Sequence, residues 1–508
     1  MERTEHTFGT FTLAADRSIL LRGSSAAALG QKGTALLKAL VEAKGEVVTK
    51  DALMAAAWGN ATVEEGNLTV QIAALRKAIV GLGAGGEFIM TVPRIGYRLL
   101  SSQEISGETH AAIPRLALAS FRNLSADPEQ DYFAAGISAD IIAGLSRFRS
   151  FAVIRLPQSI DVSPEPEKAA GAGDLGVRYL LGGSIRKVGN RIRIIAQLVE
   201  VPEGRHLWAQ TYDGILDDIF DFQDRITENV VGVIEPHVQQ AEMERARRER
   251  PDSVAAYDIY LRALDGITSE SEAGNAEAYA LLQEGLAHEP DNALLLSHAA
   301  WALEHRTAMG WPALGSDDRE MCNLYVRRAL EHARGDAMVM AHCGIALLQT
   351  TREYDWAIRV LNAAVEANPN NLMVVARAGV GHLHCGDLQT ALKLFHRANC
   401  LSPGENGAHL PLCGIAHVHI QLGEDEEALL WAGRALASNP RFDPIYWMLV
   451  TANARLGRMD EAARCLDDLR RISPGVTISR IRAGQPGMDP SRLAPILAAL
   501  KLLGLPEG

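Results

Sequence analysis

LTVQIAALRKAIVGL, residues 68–82, followed by FIMTVPRIGYRLL, residues 88–100, decides the fold of the N-terminal part. In the first segment Leu68, Ile72, Leu75 and Ile79 recur at helical spacing, which marks a buried face. Asn67 stands where its side chain can cap the helix start. The glycines between 81 and 86 end the helix. The second segment reads as a β-hairpin with Pro93 to Gly96 at its tip. Upstream, FGTFTLAADRSILLRG (8–23) begins with short β-like alternation. GTALLKALVEAKGEVV (33–48) reads as a helix and a turn at Gly45, and Thr49 is an N-cap for KDALMAAAW (50–58). The predicted order over residues 1–102 is small sheet, three helices, hairpin.

This order resembles the winged-helix effector domain of OmpR/PhoB-type response regulators and of their ToxR- and CadC-like relatives. The resemblance covers roughly residues 6–100. It is carried by Leu53, Trp58, Asn67, Leu68, Val70, Ile72, the LRK at 75–77, Ile79 and TVPRIGYRL at 91–99. It implies double-stranded DNA as a partner, with the third helix in the major groove, where donor and acceptor patterns distinguish base pairs. The hairpin wing would reach the neighbouring minor groove. The implied contact residues are Asn67, Val70, Gln71, Ala74, Arg76, Lys77, Thr91 and Arg94. Val70, Gln71 and Ala74 take base-facing positions, Gln71 suited to adenine and Val70 to a thymine methyl. Arg76 and Lys77 would meet phosphates, and Arg94 would sit on the wing. Leu68, Ile72, Leu75, Ile79 and Tyr97 are instead expected to pack. Ala73 and Ala74 stand where relatives often carry basic residues. A homodimer or tandem binding would offset that loss of charge by raising effective concentration. The resemblance also implies a contact with RNA polymerase through GNATVEEG, residues 59–66.

The whole chain carries 50 Lys/Arg against 62 Asp/Glu, a net charge of −12. Such a balance opposes non-specific coating of nucleic acid, which rests on basic side chains meeting phosphates. Residues 1–102 hold 11 Lys/Arg and 9 Asp/Glu, close to +2, so the remainder is near −14. The length of 508 residues suggests two to four domains. The six cysteines all lie in the C-terminal third without short paired spacing, as scattered thiols in a reducing compartment do. No apolar run has the length of a membrane span, and the N-terminus lacks the apolar core of a signal peptide. A cytoplasmic protein without a membrane partner is expected.

SSQEISGETHAA (101–112) reads as a linker. Residues 113–240 then alternate strand and helix patterns: PRLALASF, ISADIIAGLSRF, FAVIR, a hairpin turning at Gly189-Asn190, and the amphipathic LDDIFDFQDRITENVVGVI. The segments LALASFRNLSADPEQDYFAAGISADII and YLLGGSIRKVGNRIRI resemble the α/β domain of TolB N-terminal and FlgO-like proteins. LLGGSIRK is no phosphate loop, because Lys187 lacks the glycine before it and the Ser/Thr after it. Asp127, Asp131 and Asp140 are read as turn and capping carboxylates. AEMERARRERPDS (241–253) mixes both charges and reads as a solvated helical joint.

Residues 254–475 are repetitive. Ala357, Ala391, Ala428 and Ala462 each stand twelve positions before a proline, at 369, 403, 440 and 474. Ala278 and Pro290 repeat the offset, and Arg334 takes the proline place in a further unit. A period near 34 with paired amphipathic helices resembles the tetratricopeptide repeat. Gly386, Gly423 and Gly457 fall at the turns between helices. Residues 476–508 form a C-terminal helical tail or cap. Such arrays offer a concave groove to a protein or peptide partner, with Trp301, Trp431, Tyr446 and Trp447 as possible anchors. Cys413 and His417, one helical turn apart, have ligand spacing, but no metal or other cofactor is expected.

The fold class expected is therefore multidomain α and α/β: an N-terminal winged helix-turn-helix, a central α/β domain and a C-terminal α-solenoid. The function expected is a DNA-binding transcriptional regulator controlled through its α/β and repeat domains by a ligand or protein partner. The alternative is a tetratricopeptide scaffold or adaptor whose winged helix makes protein contacts. No catalytic constellation stands out, so a non-enzyme is expected.

Overall fold

The computed structural model describes residues 5–8, 11–14, 18–22, 25–43, 47–59, 65–81, 89–92, 96–99, 113–125, 129–155, 176–215, 219–401 and 407–508. Two compact units result, Met1–Ala112 and Ile113–Gly508. The segment 101–112 and Asp127 lie outside the described residues.

In the first unit four short strands form an antiparallel meander: β1 (Glu5–Phe8), β2 (Phe11–Ala14), β3 (Ile19–Arg22) and β4 (Ser25–Ala28). Helices α1 (Gln31–Glu42), α2 (Lys50–Trp58) and α3 (Glu65–Gly81) follow. A second sheet has the order β5–β7–β6, from β5 (Val48–Thr49), β6 (Ile89–Val92) and β7 (Gly96–Leu99). Leu68, Ile72, Leu75 and Ile79 are buried against Leu36, Leu37, Leu40, Leu53 and Tyr97. Each such side chain contributes roughly 1.5–3 kcal/mol on burial. Thr49 caps α2, its hydroxyl accepting from the Ala52 amide at 3.3 Å. Asn67 does not cap α3. That helix begins two residues earlier, at Glu65, which puts Asn67 in its first turn.

The two-residue strand β5 ties the hairpin to the helices. Val48 pairs with Tyr97 and Thr49 with Gly96. Gly96 is thus more than a hairpin tip, since a Cβ there would stand 2.0 Å from the Val48 carbonyl oxygen. Gly96→Ala is expected to push β5 and β7 apart at a cost of about 1–3 kcal/mol. Hydrogen-exchange mass spectrometry should show faster exchange in peptides covering 47–59 and 89–99. Unchanged protection there would contradict the close approach.

The second unit opens with a six-stranded sheet of order β10–β8–β11–β12–β13, with β9 beside β11. Its strands are β8 (Arg115–Leu118), β9 (Arg122–Asn123), β10 (Ala152–Arg155), β11 (Tyr179–Val188), β12 (Arg191–Glu200) and β13 (Arg205–Ile215). β8 pairs in parallel with β10 and β11, and the rest of the path is antiparallel. The hairpin between β11 and β12 turns at Gly189, whose φ is +62°. Along β12, Ile192, Ile194, Ala196 and Leu198 point inward while Arg191, Arg193 and Ile195 point out. Helix α4 (Glu129–Leu145) covers the inner face with Ile137, Ile141 and Leu145. Helix α5 (Ile219–Glu249) covers it with Ile226, Val230, Ile234 and Val238.

Helix α5 does not stop at residue 240. Its last turns, within the charge run read as solvated, bury Ala241, Glu242, Met243, Arg245 and Ala246 and leave Glu244, Arg247, Arg248 and Glu249 exposed. Glu242 is wholly buried and accepts the Tyr179 hydroxyl at 2.8 Å and Arg245 at 2.5 Å. Glu200, also buried, pairs with Arg205 at 3.1 Å. Arg250 reaches the buried Asp258 at 2.9 Å. The inward-facing charges of this run therefore join sheet, helix and first repeat, each buried charge having an opposite charge within reach.

Six helix pairs follow: α6 (Ala256–Thr268) with α7 (Glu272–His288), α8 (Ala293–Met309) with α9 (Asp318–His332), α10 (Ala337–Thr350) with α11 (Tyr354–Ala367), α12 (Leu372–Cys385) with α13 (Leu388–Leu401), α14 (His409–Leu422) with α15 (Asp425–Ser438), and α16 (Asp443–Arg455) with α17 (Met459–Ile472). The repeat alanines Ala278, Ala357, Ala391, Ala428 and Ala462 are all buried between helices. Gly386, Gly423 and Gly457 adopt φ of +86°, +78° and +75°, as the inter-helix turns require. In the unit without a proline, Cys322 takes the alanine position and Arg334 turns the chain with φ +47°. After α17 come α18 (Ile478–Gly484), a short 3₁₀ turn (Pro490–Leu493) and α19 (Ala494–Leu502). Helices α18 and α19 bury Ile478, Ile481, Ile496 and Leu500 in one cluster with the last repeat. Residues 484–492 run past α8, α10, α12 and α14 in turn.

Candidate nucleic-acid interface

The core face of α3 fixes what the helix can show to solvent. Opposite Leu68, Ile72, Leu75 and Ile79 lie Val70, Ala73 and Ala74, all exposed, with Val70 at 64%. Asn67 is exposed at the N-terminal edge of this face, and Gln71 is half-buried on its flank. Lys77 continues the face by helical register. Its side chain, the side chain of Thr91 and all of Arg94 lie outside the described residues, as does most of the 59–66 loop.

Arg76 is placed differently from the expectation. Its Nε and Nη2 donate to the Ile89 carbonyl at 3.0 and 2.5 Å. By register position 76 lies between the core face and the exposed face, on the side of the hairpin. The guanidinium there joins α3 to β6, and it holds the hairpin at a set position beside the helix. Nothing in the sequence separated this role from a phosphate contact, since an arginine on a helix flank fits both. Across the unit, Lys32 of α1 stands 5.2 Å over the Trp58 ring of α2. Among the described side chains the exposed face of α3, with Asn67, Val70, Ala73 and Ala74, carries no charge.

The second unit gathers the other residues singled out. Asp131 accepts from Asn123 at 2.9 Å, and Asp140 accepts from Gln223. His382 pairs with Asp387 at 3.2 Å and His419 with Glu424 at 2.6 Å, equivalent pairs in two adjacent repeats. Cys413 is buried in the array and His417 half-buried; burial pushes the thiol up to about 12 and the imidazole down to about 4. Among the described residues no group of three or more His, Cys, Asp or Glu is placed to hold a metal ion. Nor, among them, is any helix long and apolar enough to cross a membrane. Tyr446 donates to the Pro440 carbonyl at 2.8 Å and packs, whereas Trp301 and Trp447 line an internal cavity.

Residues 24–99 match the family described as "Transcriptional regulatory protein, C terminal". This segment is a winged-helix DNA-binding domain of that family. "Putative adenylate cyclase 3" of Rhizobium meliloti is 37% identical over 193 residues, 38% of this chain and 32% of that protein. "Transcriptional regulator HilA" of Salmonella typhimurium is 29% identical over 211 residues, 40% of this chain and 36% of that protein. The chain thus spans about a third of the length of the curated relatives it matches. The solved DNA-binding domain of E. coli CadC is 25% identical with a TM-score of 0.18, covering 19% of this chain and 90% of the CadC domain.

The winged-helix domain implies DNA as a partner. A DNA-binding transcriptional regulator agrees with these findings, and the scaffold alternative fits them less well. The expectation of a non-enzyme is withdrawn, because the relative at 37% identity carries the name of a cyclase.

Proposed function

We propose that the chain regulates transcription by reading promoter DNA with the exposed face of α3. The observation that carries this reading is the match of residues 24–99 to a transcriptional regulatory domain whose third helix leaves Val70 and Ala74 bare. In the proposed complex Val70, Gln71 and Ala74 face base edges in the major groove, with Asn67 at the edge of the contact. Lys77 meets a phosphate, and Thr91 and Arg94 belong to the wing in the minor groove. Arg76 holds the hairpin in place instead of contacting phosphate. With so few charges on the face, paired copies on adjacent half-sites supply the affinity. The 59–66 loop is the proposed contact with RNA polymerase, and the cytoplasm the proposed place of action. The repeat array receives the ligand or protein partner that sets when DNA is bound.

The test is a gel-shift titration of the full chain on its own promoter region, beside the double variant Gln71→Ala/Arg94→Ala. Sequence-specific binding by the parent, lost in the variant, is expected. If the parent shows no preference over unrelated DNA even at low salt, the reading fails.

A further inference from the structure

The first helices of the repeats, α6, α8, α10, α12, α14 and α16, wall a cavity of about 940 Å³. Repeat arrays ordinarily present an open groove on this side. Here residues 484–492 run along one rim and fasten to successive repeats. Gly484 sits so close to α8 that a Cβ would meet the Ala308 carbonyl oxygen at 2.3 Å. The Gly484 carbonyl accepts from Gln349 of α10 at 3.0 Å. The Met488 amide donates to the His384 carbonyl of α12 at 2.8 Å, and Gln421 of α14 donates to the Arg492 carbonyl at 3.3 Å. The groove becomes a bounded chamber of the size that takes a small molecule, roughly 300–1,000 Å³.

The chamber holds a cation with an unpartnered nitrogen among the described residues. Arg377 of α12 is 5% exposed, and its guanidinium lies 4.6 Å over the Trp301 ring. Its Nε has no hydrogen-bond partner among the described residues, and the same holds for His342 Nδ1 and Trp447 Nε1. His342 stacks on the same indole at 4.5 Å. Burial, with the Arg377 charge next, keeps His342 well below the usual imidazole range, so it is neutral. Glu304 and Glu270 act on the Arg377 charge from nearby. Glu270 is already paired with His305 at 2.9 Å, and burial pushes the Glu304 carboxyl up. A buried charge normally has a hydrogen-bonded counter-charge, and an unmet charged donor costs several kcal/mol at most sites.

We propose that this chamber binds a small organic carboxylate with a flat apolar body. The carboxylate takes the Arg377 guanidinium, and the flat body lies against the apolar lining, which includes Ile345, Val380 and Leu383. Arginine suits this task because its planar fork meets a carboxylate through two parallel hydrogen bonds. The proposal names the ligand class for the control reading above and rests on it only for its consequence at DNA. Binding itself is measured without DNA, so either can fail alone.

The experiment is isothermal titration calorimetry of the full chain with 2-naphthoate, and with 2-naphthalenemethanol as the neutral analogue. The expected result is one saturable site for 2-naphthoate and at least about tenfold weaker binding of the alcohol. Arg377→Gln should weaken 2-naphthoate by a similar factor, and Arg377→Lys, which keeps the charge but loses the fork, by less. Circular dichroism establishes that each variant is folded. Should either variant fail to fold, the comparison of the two ligands on the parent chain still decides. Equal affinity for acid and alcohol, undiminished binding by folded Arg377→Gln, or no saturable binding of 2-naphthoate would each overturn the proposal.

Discussion

Glu242→Ala is expected to lower the stability of the 113–508 unit by about 3–5 kcal/mol. The carboxylate is wholly buried and stands at the meeting of three elements. It accepts from Tyr179 on β11, pairs with Arg245 one turn along α5, and lies 3.7 Å from Arg178. Burial, and then the charge of Glu242, hold the Tyr179 phenol far above its ordinary range, so it remains a donor. Removing the carboxylate leaves Arg245 facing Arg250 and Arg178 with its strongest partner gone. Glu242→Gln keeps an acceptor for Tyr179 and loses only the charge, so its loss should be smaller. Urea unfolding followed by circular dichroism measures both, as shifts in midpoint at constant slope. A loss under about 1 kcal/mol for the alanine variant would show that the network is worth no more than a solvated surface pair.

The second large effect concerns DNA and leaves stability untouched. Val70→Asp puts a carboxylate at the centre of the exposed face of α3, where the side chain is 64% open to solvent. On the proposed docking it meets base edges flanked by phosphates, and a desolvated like charge there is costly. Promoter affinity should fall by about a hundredfold, roughly 2.7 kcal/mol. The unfolding midpoint should not move, since exposed substitutions away from special features change stability by about 0.5 kcal/mol or less. Ala74→Arg is the converse variant. It should strengthen binding to all sequences and steepen the salt dependence by about one unit, as an added phosphate contact does. Normal promoter affinity in Val70→Asp would move the DNA-reading surface off this face.

The parts of the fold legible in the sequence were those with strong periodicity and local causes. The spacing of Leu68, Ile72, Leu75 and Ile79 gave the core face of α3, and therefore its bare face. The alanine and proline offsets gave the repeats, and the Gly189-Asn190 turn gave the hairpin of β11 and β12. What escaped depends on partners far along the chain. The pairs of Glu242 with Tyr179 and of Arg250 with Asp258 turn a charge run into a buried network, and no local pattern announces them. Strand β13 escaped because RHLWAQTYDGI is a largely exposed edge with weak apolar alternation. The hydrogen bonds of Arg76 to Ile89 and the chamber around Arg377 depend on tertiary placement alone.

The rim segment at 484–492 also sets an order in time. Synthesis runs from the N-terminus, so the DNA-reading unit is complete and can fold while most of the repeats are still unmade. The chamber acquires its wall only when the chain near residue 490 has left the ribosome. A product interrupted anywhere between these points carries a whole winged helix and an open, unfinished groove. On the proposed function, such a fragment would compete for the same promoter sites without the chamber that receives the effector.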